Sequence, residues 1–267
     1  MIIFDPLIDE LKKALQVRKS GAEEHVFETI SAGWKRQNRG CLVMARDTAI
    51  ELGHPTTDSL FFPLVTSTPQ KIEDGKITLI GKDIPALKKS PVSFADILLV
   101  ETEAFGEDQT SERFFEIDMV RHRLNLEGYM LRATTQKMRE WSRVSRQAIE
   151  KGFSFQVLGS EMINAYHRIG FVRAAEILFI TENEDLIRQL TPLGRKVTDV
   201  TRALNTIFDK LEFDCDTCTL KDVCAEIEGL KALHVRTVSK KNQNLVHHSV
   251  SDGDASTILQ KSGRSGK

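Results

Sequence analysis

Three of the four cysteines in this 267-residue chain lie within ten residues of one another, in the pattern Cys215-x2-Cys218-x5-Cys224, and His234 follows ten residues later. Thiolate and imidazole groups at such spacing bind zinc or an iron–sulfur cluster. The pattern therefore predicts a metal site at these four residues. Structural zinc and three metal-free thiols are alternatives, and His234 could be an ordinary loop histidine. Cys41 starts an apolar run and is expected to be buried, unless the fold brings it to the loop as a further ligand.

A second candidate region is basic. Residues 121–151 contain eight arginines and lysines against three glutamates. The sequence predicts a helix over 134–151, on which Arg139, Arg143 and Arg146 would have i, i+4, i+7 spacing and share one face. Because guanidinium groups form paired hydrogen bonds with phosphate oxygens, this face could bind a phosphate-bearing ligand. A solvated charged face is the alternative.

The elements that must position these residues follow from the hydrophobic pattern. Asp5-Pro6 begins a helix, since aspartate caps an N-terminus and proline suits the first helical position. Between 41 and 101 the apolar runs become strand-like, and Asp74-Gly75 predicts a hairpin turn. The other predicted elements are strands at 41–44, 60–65, 76–79, 97–100 and 175–180 and helices at 112–126, 134–151, 182–190 and 194–211.

These elements predict an α/β (α+β) fold, in which a mixed sheet is covered by packed helices. We expect a helical lead-in over 1–40 and an α/β domain over 41–211. A cysteine metal-binding loop over 212–238 follows, and then a tail over 239–267. The tail is predicted to be disordered because serine, asparagine, glycine and lysine dominate its composition.

Composition excludes several classes of function. Hydrophobic residues make up 40% and charged residues 28% of the chain, and the formal net charge is −1, so nothing points to nucleic acid or membrane partners. No apolar stretch approaches the roughly 20 residues of a membrane helix, and the N-terminus does not have the form of a signal peptide. We therefore expect a cytoplasmic protein, in which clustered cysteines favour metal or redox chemistry over disulfides.

Several ordered blocks resemble a known family. They are Ile50–Gly53, Ile72–Ile84, Trp141–Ser145, Ala148–Phe155, Phe179–Glu182 and the cysteine loop. Their order and spacing are similar, over residues 45–235, to the middle region of the acetyl-CoA synthase (beta) subunit of the CO dehydrogenase/acetyl-CoA synthase complex. The resemblance implies the α/β fold of that region.

The resemblance also implies two sites. The family binds a four-iron cluster in a loop of the form Cys-x2-Cys-x8-Cys-x9-Cys. Cys215 and Cys218 match the first two cysteines of this loop. Cys224 corresponds to the third cysteine in a shorter loop, and His234 occupies the place of the fourth. The family's middle domain is linked to coenzyme A through arginines and a tryptophan, which implies a coenzyme A site at Trp141 with Arg139, Arg143 and Arg146.

Trp141 also has a simpler interpretation. On the predicted helix it would share a stripe with Met138, Val144 and Ala148, which is typical of core packing.

The resemblance is incomplete, because the family's nickel is held by a Cys-Gly-Cys motif that does not occur in these residues. We expect an accessory relative that binds a 4Fe–4S cluster and acts in anaerobic acetyl-CoA or one-carbon metabolism, without catalysis of its own. Its expected partners are CO dehydrogenase, a corrinoid protein or another subunit of such a complex. A noncatalytic zinc-stabilised module that binds coenzyme A or a protein, and an enzyme whose nickel ligands come from another subunit, are the alternatives.

Overall fold

A computed structural model describes residues 3–17, 24–30, 33–37, 40–104, 109–133 and 138–208. It confirms the expected mixed α/β fold. The strands are β1 Glu24–Glu28, β2 Thr48–Leu52, β3 Ser59–Thr66, β4 Lys76–Ile80, β5 Phe94–Thr102, β6 Tyr129–Ala133, β7 Trp141–Ser145 and β8 Val172–Thr181. The helices are α1 Asp5–Val17, α2 Thr110–His122, α3 Arg146–Glu150, α4 Phe155–Tyr166 and α5 Glu184–Phe208, with 3-10 turns at Ala45–Asp47 and Ile84–Ala86.

Five strands form the main sheet, in the order β1-β4-β8-β5-β3. β8 is parallel to β4 and antiparallel to β5, while β3 runs parallel to β5 along the edge. Strands β5 and β8 are buried along almost their whole length, which is why both read as continuous apolar runs. Pro63 lies within β3, where an edge strand tolerates the missing N–H group.

Helices cover both faces of this sheet. On one face α5 packs so closely on β3 that a Cβ atom at Gly194 would lie 2.9 Å from the Phe62 ring. On the other face Phe155 of α4 stacks on Phe94 and Phe179, with ring centroids 5.7 and 4.8 Å apart. Side chains of consecutive strand residues point to opposite faces, and this alternation separates the two helical layers.

A second, antiparallel sheet has the order β2-β7-β6. It is joined to the main sheet where Gly53 N donates to Val92 O at 2.9 Å and Phe61 N donates to Met138 O at 2.7 Å. Gly53 has a φ of +67°, and a Cβ atom there would lie 2.0 Å from the carbonyl oxygen of Glu140. Only glycine therefore fits at this junction.

Several sequence predictions are confirmed by these elements. α1 starts at Asp5, although the Asp5 carboxylate accepts from the Thr66 and Thr68 hydroxyls instead of capping the helix. The apolar runs at 60–65, 76–79, 97–100 and 175–180 are strands. The helix expected at 112–126 is α2. Residues 1–40 hold more than a helix, because β1 joins the main sheet beside β4.

Other predictions are wrong. Residues 41–44 form no strand, and Asp74-Gly75 does not connect a hairpin, because β4 is paired with β1 and β8. The helices expected at 182–190 and 194–211 are the single helix α5, which passes through Pro192. The predicted cysteine loop over 212–238 and the tail over 239–267 lie outside the described residues.

Candidate functional site

The helix predicted over 134–151 is wrong, and this changes the geometry of the basic region. Residues Trp141–Ser145 are strand β7, the centre of the small sheet, and only Arg146–Glu150 form a short helix. Because side chains alternate along a strand, Trp141 and Arg143 share the outward face, while Ser142 and Val144 are fully buried. Arg139, Arg143 and Arg146 therefore do not share a helix face.

Each of the three predicted arginines has a different environment. Arg139 Nη2 donates to the backbone carbonyl oxygens of Thr57 (2.5 Å) and Pro55 (3.3 Å), so it holds the loop before β3. Arg143 Nε donates to Glu51 Oε1 across the strand pair β2–β7 at 2.5 Å. Arg146 is exposed at the start of α3.

Trp141 lies at the centre of a cationic cluster on the outward face. The Arg132 guanidinium lies over its ring at 4.5 Å from the ring centroid, and that of Arg143 lies 5.6 Å away. The His54 ring meets the indole edge to face, with centroids 5.0 Å apart. We call Trp141, Arg132, Arg143 and His54 the Trp141 surface.

Sequence reasoning did not select Arg132 and His54. Arg132 belongs to the basic stretch, but it does not fit the helical spacing that singled out the other arginines. The types along Trp141–Ser145 do not alternate between apolar and polar, so no local signal revealed the strand or its shared face. The prediction that Trp141 belongs to a core-packing stripe on a helix is wrong, because residues 141–145 are a strand. The Nε1 atom of Trp141 is nevertheless buried, and it has no hydrogen-bond partner within the described ranges.

A polar cavity of about 460 Å³ lies at the far end of β7. Its lining residues come from the segment before β2, the turn before β6, and the junction of β7 with α3. They are Gln37, Cys41, Leu42, Val43, Arg46, Asp47, Glu127, Gly128, Ser145, Arg146, Gln147 and Glu150. Cys41, expected to be buried, is half-buried in this wall, where its Sγ accepts a hydrogen bond from Gly128 N at 3.2 Å.

Beneath β7, between the two sheets, lies a buried charged layer. The Glu140 carboxylate accepts from Arg121 Nη1 at 3.4 Å and from the Tyr129 hydroxyl at 3.3 Å. The Arg121 guanidinium also lies 3.3 Å from the centroid of the Phe61 ring. Asp96 on β5 is 1% exposed, and its Oδ1 has no partner in the described part of the chain. We call Arg121, Glu140, Asp96 and Tyr129 the buried layer.

Burial controls ionisation in this layer. It raises the pKa of Asp96 well above its usual range, and the nearby Glu140 carboxylate raises that pKa further, against the opposite effect of Arg121. Burial also raises the pKa of Glu140, with Arg121 and the Tyr129 hydroxyl acting in the opposite direction. The Arg121 guanidinium thus lies near two buried carboxyl groups, besides the half-exposed Asp118 at 3.5 Å, and the structure favours keeping a proton on one of the buried pair.

Comparison with known protein families shows to which family this chain belongs. The sequence profile of the CO dehydrogenase/acetyl-CoA synthase complex beta subunit matches residues 32–186, more than half of the chain. The chain belongs to this family. A search of curated proteins found no significant match.

In this beta-subunit family member, the matched range contains the Trp141 surface, the cavity and the buried layer. It ends before the predicted metal ligands. Cys215, Cys218, Cys224 and His234 lie outside the described residues, so their prediction stays untested. Within the described residues, no group of three or more histidine, cysteine, aspartate or glutamate side chains could hold a metal ion.

The helices that the structure describes give no sign of a membrane span. None of them combines the length and the apolar character needed to cross a bilayer.

Proposed function

We propose that this beta-subunit family member binds coenzyme A on the Trp141 surface, as an accessory protein of acetyl-CoA or one-carbon metabolism. The observation that supports this is the half-buried Trp141 ring with the guanidinium groups of Arg132 and Arg143 beside it. An aromatic face suits the adenine ring, and guanidinium groups suit the phosphates next to it.

Arg132 occupies one side of the indole and must be able to move. Its side chain is exposed, and a cation–π contact at an exposed site is worth about 0.5–1 kcal/mol. A ligand phosphate can therefore draw the guanidinium off the ring at small cost. Arg143 is held by Glu51, which fixes its position beside the site. Arg139 takes the role of holding the loop next to His54.

The experiment is a titration of the full chain with coenzyme A, followed by tryptophan fluorescence. The chain has two tryptophans, and Trp34 packs against Phe153 with ring centroids 5.1 Å apart. A Trp34→Phe variant should show quenching on binding, whereas Trp141→Phe should show none.

Arginine variants make this titration more specific. Arg132→Ala should weaken binding about tenfold, since hydrogen bonds to charged groups contribute about 1.5–3 kcal/mol. Arg195→Ala, on an exposed arginine of α5, is the matched control. Unchanged calorimetric affinity in Arg132→Ala, or quenching that follows Trp34 instead, would refute the coenzyme A site.

We also propose a 4Fe–4S cluster at Cys215, Cys218 and Cys224, with His234 as the fourth ligand. Three thiolates and one imidazole form a chemically suitable set. Protein purified without oxygen should contain iron and acid-labile sulfide, and Cys218→Ser should lose both. Zinc without sulfide would instead support the alternative, a zinc-stabilised binding module.

The proposed partners are other subunits of the CO dehydrogenase/acetyl-CoA synthase complex, including CO dehydrogenase and the corrinoid protein. The family relationship supports this. In this arrangement the residues of the present chain contribute the coenzyme site and the cluster.

A further inference from the structure

The cavity and the Trp141 surface lie along the same strand. Trp141 is the first residue of β7 and Ser145, which lines the cavity, is the last. Four residues of extended strand span roughly 13 Å. A ligand with an aromatic group on Trp141 would therefore need a long, narrow extension to reach the cavity.

Three of the five charged side chains in the cavity wall, those of Glu127, Asp47 and Arg46, form ion pairs within the protein. Glu127 binds Lys35 Nζ at 2.9 Å and Lys151 Nζ at 2.5 Å. Asp47 lies 3.7 Å from Arg46 Nε. Because these carboxylates already have cationic partners, they do not make the cavity a cation-binding site.

Arg146 and Glu150 also line the cavity with exposed charged side chains, and the other lining residues are neutral and mixed in character. The side chains of Gln37 and Gln147 are exposed at the cavity and offer both amide donors and acceptors. Leu42 is 72% exposed and adds an apolar side chain to the edge of the cavity. Such a wall suits a flexible chain in which methylene groups alternate with amides.

We infer that this cavity binds the pantetheine arm of a coenzyme A molecule whose adenine ring lies on Trp141. The inference rests on the proposed function and adds a second half to that site. It also gives the site a way to distinguish coenzyme A from adenine nucleotides, which share the base and the phosphates but lack the arm.

Cys41 is a reporter for this inference, because it is half-buried in the cavity wall. The full chain is treated with iodoacetamide, and alkylation of Cys41 is followed at the peptide level by mass spectrometry. The two probes are desulfo-coenzyme A, which has no thiol of its own, and 3′-phosphoadenosine 5′-diphosphate, which lacks the arm. Desulfo-coenzyme A should slow alkylation of Cys41 at least about fivefold, and the arm-less probe should not.

A variant whose larger side chain fills the cavity provides the second test. Gln147→Phe should reduce the affinity for desulfo-coenzyme A about tenfold and leave the affinity for the arm-less probe unchanged. Gln189→Phe, the same change at an exposed position of α5, is the control and should affect neither.

The outcomes separate the two proposals. If neither probe quenches Trp141, the proposed function fails. If both quench it with equal affinity, and desulfo-coenzyme A leaves Cys41 alkylation unchanged, the coenzyme site stands and the cavity inference is overturned.

Discussion

Glu140 and Trp141 are neighbours in sequence, yet Glu140 belongs to the buried layer and Trp141 to the Trp141 surface. The buried layer and the Trp141 surface both combine arginine with an aromatic ring, and in each a guanidinium lies over that ring. Arg121 is 7% exposed, whereas Arg132 lies at the surface. In the buried layer, each charge needs a partner because water cannot reach it. On the Trp141 surface the exposed Arg132 can exchange its contact with the ring for water or a ligand, so the same residue type is free to bind there.

Removing the cation from the buried layer should have the largest effect. Arg121→Ala would leave two buried carboxyl groups without their guanidinium, and should lower the free energy of unfolding by about 3 kcal/mol. Denaturant unfolding measures this. Arg123→Ala, at an exposed position two residues along, should change stability by less than about 0.5 kcal/mol. Equal effects of the two changes would mean that burial does not distinguish these arginines.

A smaller effect should appear as a change in pH dependence. The folded protein raises the pKa of Asp96, so folding favours the protonated carboxyl. The contribution of Asp96 to stability is therefore greatest at low pH, and it is lost as the pH rises above the usual carboxyl range towards the raised value. Asp96→Asn removes this dependence.

The measurement is the denaturant midpoint of both proteins between pH 4 and pH 8. The stability of Asp96→Asn relative to the unchanged protein should increase with pH. Asp199→Asn, at a side chain on α5 that is 38% exposed, is the control and should follow the unchanged protein. Parallel profiles for Asp96→Asn would contradict the assigned direction.

The smallest effect on stability should come from the Trp141 surface. Arg132→Ala removes an exposed cation–π contact, so the free energy of unfolding should fall by less than about 1 kcal/mol. The same variant should lose coenzyme A affinity, as proposed above. A large loss of stability would place Arg132 with the buried layer instead, and would remove the contrast between the two regions.

Much of the fold could be predicted from local pattern. The Asp5-Pro6 pair located the start of α1, and the apolar runs at 60–65 and 97–100 located strands whose burial on both faces leaves few polar residues. The family resemblance is confirmed as well. These features are local in sequence, so a short window contains the information that determines them.

The site geometry could not be predicted in this way. Residues 134–151 are rich in arginine, lysine and glutamate, which favour a helix in isolation. Pairing of β7 with both β2 and β6 overrides that preference, and nothing within the segment encodes its partners. The contact between Arg121 and Glu140 joins residues 19 positions apart across two elements, and an arginine is expected at the surface unless its partner is known.

Strand β8 occupies the middle of the main sheet, but among the described residues it is the last of the eight strands in chain order. Its partners β4 and β5 end at Ile80 and Thr102, and β8 begins only at Val172. At synthesis rates of 5–20 residues per second, the flanking strands wait roughly 4–14 s for the strand that joins them. Until β8 is synthesised, β4 and β5 lack the strand that pairs with both of them, so we expect residues 60–102 to expose apolar surface during translation.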